Sequence, residues 1–185
     1  LAYYDLKTGE GDATRLEAAA SALASPTTDY YAMADEHFQM DQIIDYYAWM
    51  TVSANLDGYP FTLNDYFIYA DPAAGGRFAM SPWGMDESWN PTFTFQWGVG
   101  LALFSCAADN ACLDRVKART EVALQHYEST DVPARLEAFY ALSAARVAND
   151  PRSSWTPLEI ETERAALLDF VRGWPDRLRA QMAAE

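Results

Sequence analysis

The chain has 185 residues, 50% of them hydrophobic and 14% aromatic, with 27 Asp and Glu against 13 Lys and Arg for a formal net charge of −14. That much apolar bulk excludes a disordered chain and is enough for a real core, so residues 1–185 read as a single domain. The acidic excess argues against phosphate backbones and anionic lipid, so no nucleic acid partner is expected, and no apolar run reaches the length of a membrane span.

The sequence starts at Leu1-Ala-Tyr-Tyr without an initiator Met or a signal peptide, and reads as the interior of a longer precursor. Asp5-Leu-Lys7 suggests no role. Asp12 to Ala24, rich in Ala and Leu, predicts a helix capped by Asp12 and stopped by Ser25-Pro26. Phe38 to Ala54 carries the clearest helical pattern, with Ile43, Ile44, Tyr47 and Met50 on one face and Asp41 as the candidate cap. The period then changes. Tyr66 to Tyr69 and Arg77 to Met80 are short β-like runs joined by turn residues from Asp71 to Gly76, which predicts a hairpin. Residues 81 to 98 predict an irregular loop, with Trp83, Trp89 and Trp97 serving as core packing rather than a ligand shelf.

From Leu101 the chain is helical again. Asp109 caps a helix to about Tyr127, and Asp131-Val-Pro133 opens another that ends near Asn149-Asp150-Pro151. Thr156-Pro-Leu-Glu159 is a capping box. The helix it starts is expected to end at Arg172 with Gly173 as its C-cap, and Pro175 to open a last short helix through Leu178 and Met182. The fold class is therefore α+β, mainly α, with a helical bundle and a central short β-hairpin. Cys106 and Cys112 are the only cysteines, and His37 and His126 are remote in sequence, which disfavours zinc. A short-loop disulfide across a helix–helix turn fits better than two free thiols, and it implies a secreted, periplasmic or cell-surface location.

The stretch from Asn55 to Tyr69 carries the chemistry. Asp57 follows a buried helix, Asn64 and Asp65 precede the first strand, and Asp86 leaves the second. An antiparallel hairpin brings its flanking residues together, so Asp57, Asn64, Asp65 and Asp86 are expected at one end of the sheet. Hard oxygen donors of this kind suit Mg²⁺ or Mn²⁺. Protein kinases place a catalytic Asp, a metal-binding Asn, a strand pair and a second metal-binding Asp in the same order. Turn capping and a solvated loop are the competing explanation for the same acids. Hydrolase elbows, zinc-protease helices and phosphate-binding Gly-rich loops have no counterpart.

Asn55-Leu-Asp57, Asp65-Tyr-Phe-Ile-Tyr69 and Pro82-Trp-Gly-Met-Asp86 together resemble the motifs of the CotH-type kinase family. The helix before them, from Met40, and the tail Phe170 to Arg179 resemble that family too. The resemblance implies a protein-kinase-like C-lobe and transfer of the ATP γ-phosphate to a protein Ser or Thr, with Mg²⁺ or Mn²⁺ as cofactor. Asp57 would be the catalytic-loop aspartate and Asp86 the metal-binding aspartate. Asp65 stands where the family has Asn, with Asn64 as a neighbouring substitute, and Gly84 stands where many members have Asp. The family's N-terminal lobe is not among these residues, so the expected partners are a protein substrate or the missing N-terminal portion of its own precursor. A non-catalytic pseudokinase or binding module of the same fold, and a helical structural domain without a ligand, are the alternatives.

Overall fold

A computed structural model describes residues 13–24, 29–96, 98 and 100–184, the side chain of Leu101 excepted. The expected roles of Asp12, Ser25, Pro26 and Trp97 lie outside the described residues. The elements run α1 (Thr14–Leu23), α2 (Tyr30–Asp35), α3 (Met40–Val52), α4 (Tyr59–Thr62), β1 (Tyr66–Asp71), β2 (Arg77–Pro82), α5 (Leu101–Phe104), α6 (Asn110–Ser129), α7 (Val132–Ala148) and α8 (Pro157–Ala184). The mainly helical class with one hairpin holds.

The centre of the core is α3. Met40, Ile43, Ile44, Tyr47 and Met50 have no exposed surface, and buried residues occur around most of its circumference. A helix apolar on so many sides must be surrounded. α6 lies along it and β2 packs on its flank, while Trp174 of α8 bonds the carbonyl at its end. Its first turn departs from expectation. Met40 N–H donates to Asp35 Oδ1 at 3.0 Å, so Asp35 rather than Asp41 satisfies the start of the helix. Because α3 begins at Met40, Asp41 already sits inside its first turn and turns outward. There it accepts from the Tyr31 hydroxyl and pairs with Arg115 on α6.

The later caps follow the sequence. Asp109 accepts from Ala111 N and Cys112 N, and Asp131 accepts from Ala134 N. Thr156 and Glu159 form the reciprocal box, with Thr156 N donating to Glu159 at 2.7 Å. Cys106 and Cys112 form a disulfide with Cα atoms 5.3 Å apart, tying the turn after α5 to the first turn of α6.

Gly173 and Pro175 break nothing, contrary to the expected cap and restart: α8 runs unbroken from Pro157 to Ala184. Proline at 175 removes the N–H that would bond the carbonyl of Val171. The buried hydroxyl of Tyr127 on α6 donates to that carbonyl at 2.8 Å instead. At the adjacent carbonyl, that of Phe170, Arg177 donates at 2.8 Å. Side chains thus supply a donor at the proline site, and the buried faces of Val171, Trp174 and Leu178 keep the helix seated.

The hairpin pairs Tyr66 with Pro82 through Asp71 with Arg77 in antiparallel register. It is fastened to the beginning of α3. Gln39 N–H donates to Phe78 O and Phe78 N–H to His37 O, each at 2.8 Å, which makes the segment before α3 a partner of β2. The Gln42 side chain brackets Met80, accepting from its N–H at 2.9 Å and donating to its carbonyl. Arg77 pairs with Asp35 at 2.9 Å.

Tyr127→Phe should destabilise the protein by about 1–3 kcal/mol, because it strands a buried carbonyl that no backbone N–H can reach. In a Pro175→Ala background the restored N–H should remove most of that penalty. Chemical denaturation of the two single variants and the double variant checks this, and simple additivity would contradict it.

Candidate active site

The end of α3 delivers the chain into a loop that cannot be regular. Ala54 adopts φ +48°, and four of the five non-glycine residues with positive φ among the described residues are Ala54, Leu63, Asp65 and Trp89. Backbone strain concentrated in one place is a mark of functional loops. The loop after β2 is zipped to it: Trp89 N–H donates to Ser53 O at 2.7 Å and Asn90 N–H to Ala54 O at 3.1 Å. Asn55, with 0% of its surface exposed, closes the link. Its Oδ1 accepts from Asp57 N–H at 2.9 Å, and its Nδ2 donates to Ser88 Oγ at 3.1 Å. One buried amide therefore holds the loop of Asp57 against the loop that follows Asp86.

Asp57 is half-buried just before α4. Its Oδ1 accepts from Thr62 Oγ1 at 3.1 Å and from Asn64 Nδ2 at 3.0 Å. Asn64 is thus bonded to Asp57, which leaves its Oδ1 as the atom able to meet a cation. Asp65 stands between the other two acids. Lost hydration first, then the negative charges of Asp57 and Asp86, hold its carboxyl above the ordinary carboxylate value. Behind it, burial pushes the Tyr46 hydroxyl up to about 12, with the charge of Asp65 adding to the effect.

Gly84 is what lets these groups meet. Its φ is +63°, and a Cβ there would lie 2.6 Å from Asp65 Oδ2 and 3.3 Å from Asp86 Oδ1. The two carboxylates close over a bare backbone. The structure therefore gathers Asp57, Asn64, Asp65 and Asp86 at the open end of the hairpin. Trp83 departs from the reading as core: it is 60% exposed and meets Phe67 edge-on across the hairpin, while Trp89 is half-buried against Tyr127. Trp83 follows Pro82 on the outward-facing side of the sheet, so its size alone does not bury it. Its ring stays with Phe67 on the exposed face instead. Sequence inspection gave Asn55 no role of its own; a polar residue directly after a fully buried helix was the available signal.

The donor set fits a hard divalent cation. Mg²⁺ takes one or two carboxylates and keeps waters or phosphate oxygens for its remaining positions. Asp65 and Asp86 offer such a pair, and their mutual repulsion is what a cation relieves. Among the described residues no group of three or more His, Cys, Asp and Glu forms a cage that could hold a metal by itself.

A family model described as CotH kinase protein matches residues 2–173. No curated protein and no solved structure matches.

Asp65→Asn should raise the cation-free melting temperature at neutral pH, because the charged carboxylate is disfavoured in the folded state. The sign follows from the raised pKa: folded Asp65 takes up a proton more readily than unfolded Asp65, so its repulsion is relieved on acidification and the gain should shrink as pH falls. Mn²⁺ should raise the melting temperature of the unaltered chain and much less that of Asp65→Asn or Asp86→Asn. Calorimetry at neutral and acid pH, with and without Mn²⁺, measures all of these.

Proposed function

The chain belongs to the CotH kinase family, and from that membership and the carboxylate cluster we propose that it is the catalytic-lobe part of a secreted or cell-surface protein kinase, residues 1–185 acting as one domain. The reaction is transfer of the γ-phosphoryl group of ATP to a protein Ser or Thr hydroxyl. The observation that supports it most is the gathering of Asp57 and Asp86 on either side of Asp65, with Asp65 and Asp86 closing over Gly84.

Asp57 accepts the hydroxyl proton, or orients the hydroxyl, while its oxygen attacks the γ-phosphorus and ADP leaves. Thr62 and Asn64 hold the carboxylate, and the bond from its N–H to Asn55 fixes the backbone beneath it. A positioned base is worth about 10²- to 10⁴-fold in rate. Asp65 and Asp86, with Asn64 Oδ1, would hold Mg²⁺ or Mn²⁺, which supplies charge neutralisation for the phosphates. The N-terminal portion of the precursor would complete the nucleotide site.

A second reading, a pseudokinase or binding module of the same fold, is favoured by one observation. Many family members have Asp where this chain has Gly84, and any side chain there would displace Asp65 as it stands. The metal pair of this chain is therefore built differently. Transfer of labelled γ-phosphate to Ser/Thr acceptor proteins, with the N-terminal portion of the precursor supplied, separates the readings. No transfer alongside a retained Mn²⁺ melting shift would favour the binding module.

Asp57→Ala should abolish transfer and leave the melting temperature close to that of the parent. Trp83→Ala should change stability by no more than about 1 kcal/mol, since its ring is largely in solvent, whereas Trp174→Ala should remove about 3–5 kcal/mol. Activity assays and denaturation curves on the three variants test this division. Loss of folding in Asp57→Ala with full activity in a folded Asp57→Asn would remove the catalytic role.

A further inference from the structure

The two helices α7 and α8 leave an apolar face that the rest of the chain does not cover. No residue of α7 is fully buried. Phe139 is 71% exposed, Leu142 83% and Leu158 at the start of α8 77%. Between the helices runs an apolar groove of about 530 Å³, lined by Leu136, Tyr140, Val147, Ile160, Leu167 and, at one end, Trp89. An isolated exposed leucine is ordinary, but an apolar groove between two helices that also expose Phe139, Leu142 and Leu158 marks a contact surface.

Charge decides what covers it. The chain carries −14 overall, yet residues 132–172 hold five arginines against six Asp and Glu, so the segment is nearly balanced on a strongly acidic molecule. Two copies can meet there without stacking much net negative charge. The two helices are also complementary to each other in sign. α7 contributes Arg135 and Arg146 against Glu137, and the first turns of α8 contribute Glu159, Glu161 and Glu163 against Arg164, so one is net basic and the other net acidic. A twofold axis laying α7 of one copy against α8 of the other sets basic against acidic flanks and closes two helical pairs into a four-helix bundle.

We infer that this face binds a second copy of the chain, giving a twofold-symmetric dimer through α7 and α8. The contacts Phe139, Leu142 and Leu158 include none of the carboxylate cluster, so the dimer holds or fails independently of the kinase reading. Its central contacts are Phe139, Leu142 and Leu158, with the arginine–glutamate flanks setting register more than strength.

Sedimentation equilibrium over a range of protein concentrations, at about 0.15 M salt to screen the repulsion of two acidic chains, tests it. The expected result is a reversible monomer–dimer equilibrium. Leu142→Asp should weaken it by roughly tenfold or more, with helicity and melting temperature of the monomer unchanged. Arg146→Glu should weaken it as well, and Arg146→Glu mixed with a Glu163→Arg chain should associate better than either does with itself. A monomer at every concentration, as expected if a different protein occupies the groove, would overturn the proposal. So would a dimer that Leu142→Asp leaves intact in a folded chain.

Discussion

The indole N–H of Trp174 donates to the carbonyl of Val52 at 3.0 Å, and the site depends on that bond. Val52 is the last residue of α3, where carbonyls have run out of helical partners. Trp174 lies in α8, 122 residues further along the chain. The contact fixes where the central helix stops, and Ala54, Asn55 and Asp57 follow at once. Phe93 meets the same indole edge-on and Phe170 stacks on it, so the donor cannot swing away. α8 can present Trp174 at that height only if it stays helical through Pro175, and it does so because Tyr127 reaches the carbonyl of Val171. A hydroxyl on α6 therefore bears on the placement of a carboxylate in the loop after α3.

Beyond that anchor the site is a matter of two loops held together. The hairpin sends Asp65 out and brings Asp86 back, but a hairpin alone fixes only its own two ends. Asp57 comes from a different part of the chain. The backbone bonds from Trp89 to Ser53 and from Asn90 to Ala54 join that part to the loop after Asp86, and the buried amide of Asn55 completes the join. Positive φ at Ala54, Asp65 and Trp89 is the conformational cost of that join. It persists because α3 and the core below hold both sides rigidly.

What the sequence displayed and what it concealed divide by range. Asp109, Asp131 and the Thr156–Glu159 box act within a single turn of their own helices, so the residue type at the right offset sufficed. The hairpin was legible for the same reason, and with it the meeting of Asp65 and Asp86. Gly173 and Pro175 read as a helix end because locally they are one. The hydroxyl that rescues the helix comes from Tyr127, 44 residues from the carbonyl it serves. Trp83 misled through its size, since only the packing of the hairpin against α3 determines which face of the sheet is turned to solvent. Asp41 misled by one residue: the helix begins at Met40, and Asp35 reaches its first N–H from the preceding helix.

The distribution of the few cations bears on why the carboxylate cluster looks outward. Arg115 and Arg119 pair with Asp41 and Asp45 across the seam of α3 and α6. Arg179 grips Glu121 and Glu128 from α8, lowering the pKa of both, and so clamps the seam of α6 and α8. Arg77 holds the hairpin to Asp35. Ion pairs that join separate elements use arginine's planar fork well. Among the described residues no ion pair includes Asp57, Asp65 or Asp86. These arginines hold separate elements in register, and among the described residues the acids at the hairpin's open end face one another without one. A protein built only for stability would separate such charges, since even one arginine between them would relieve the repulsion. Keeping Asp65 and Asp86 adjacent around a glycine leaves a concentrated negative potential at the surface.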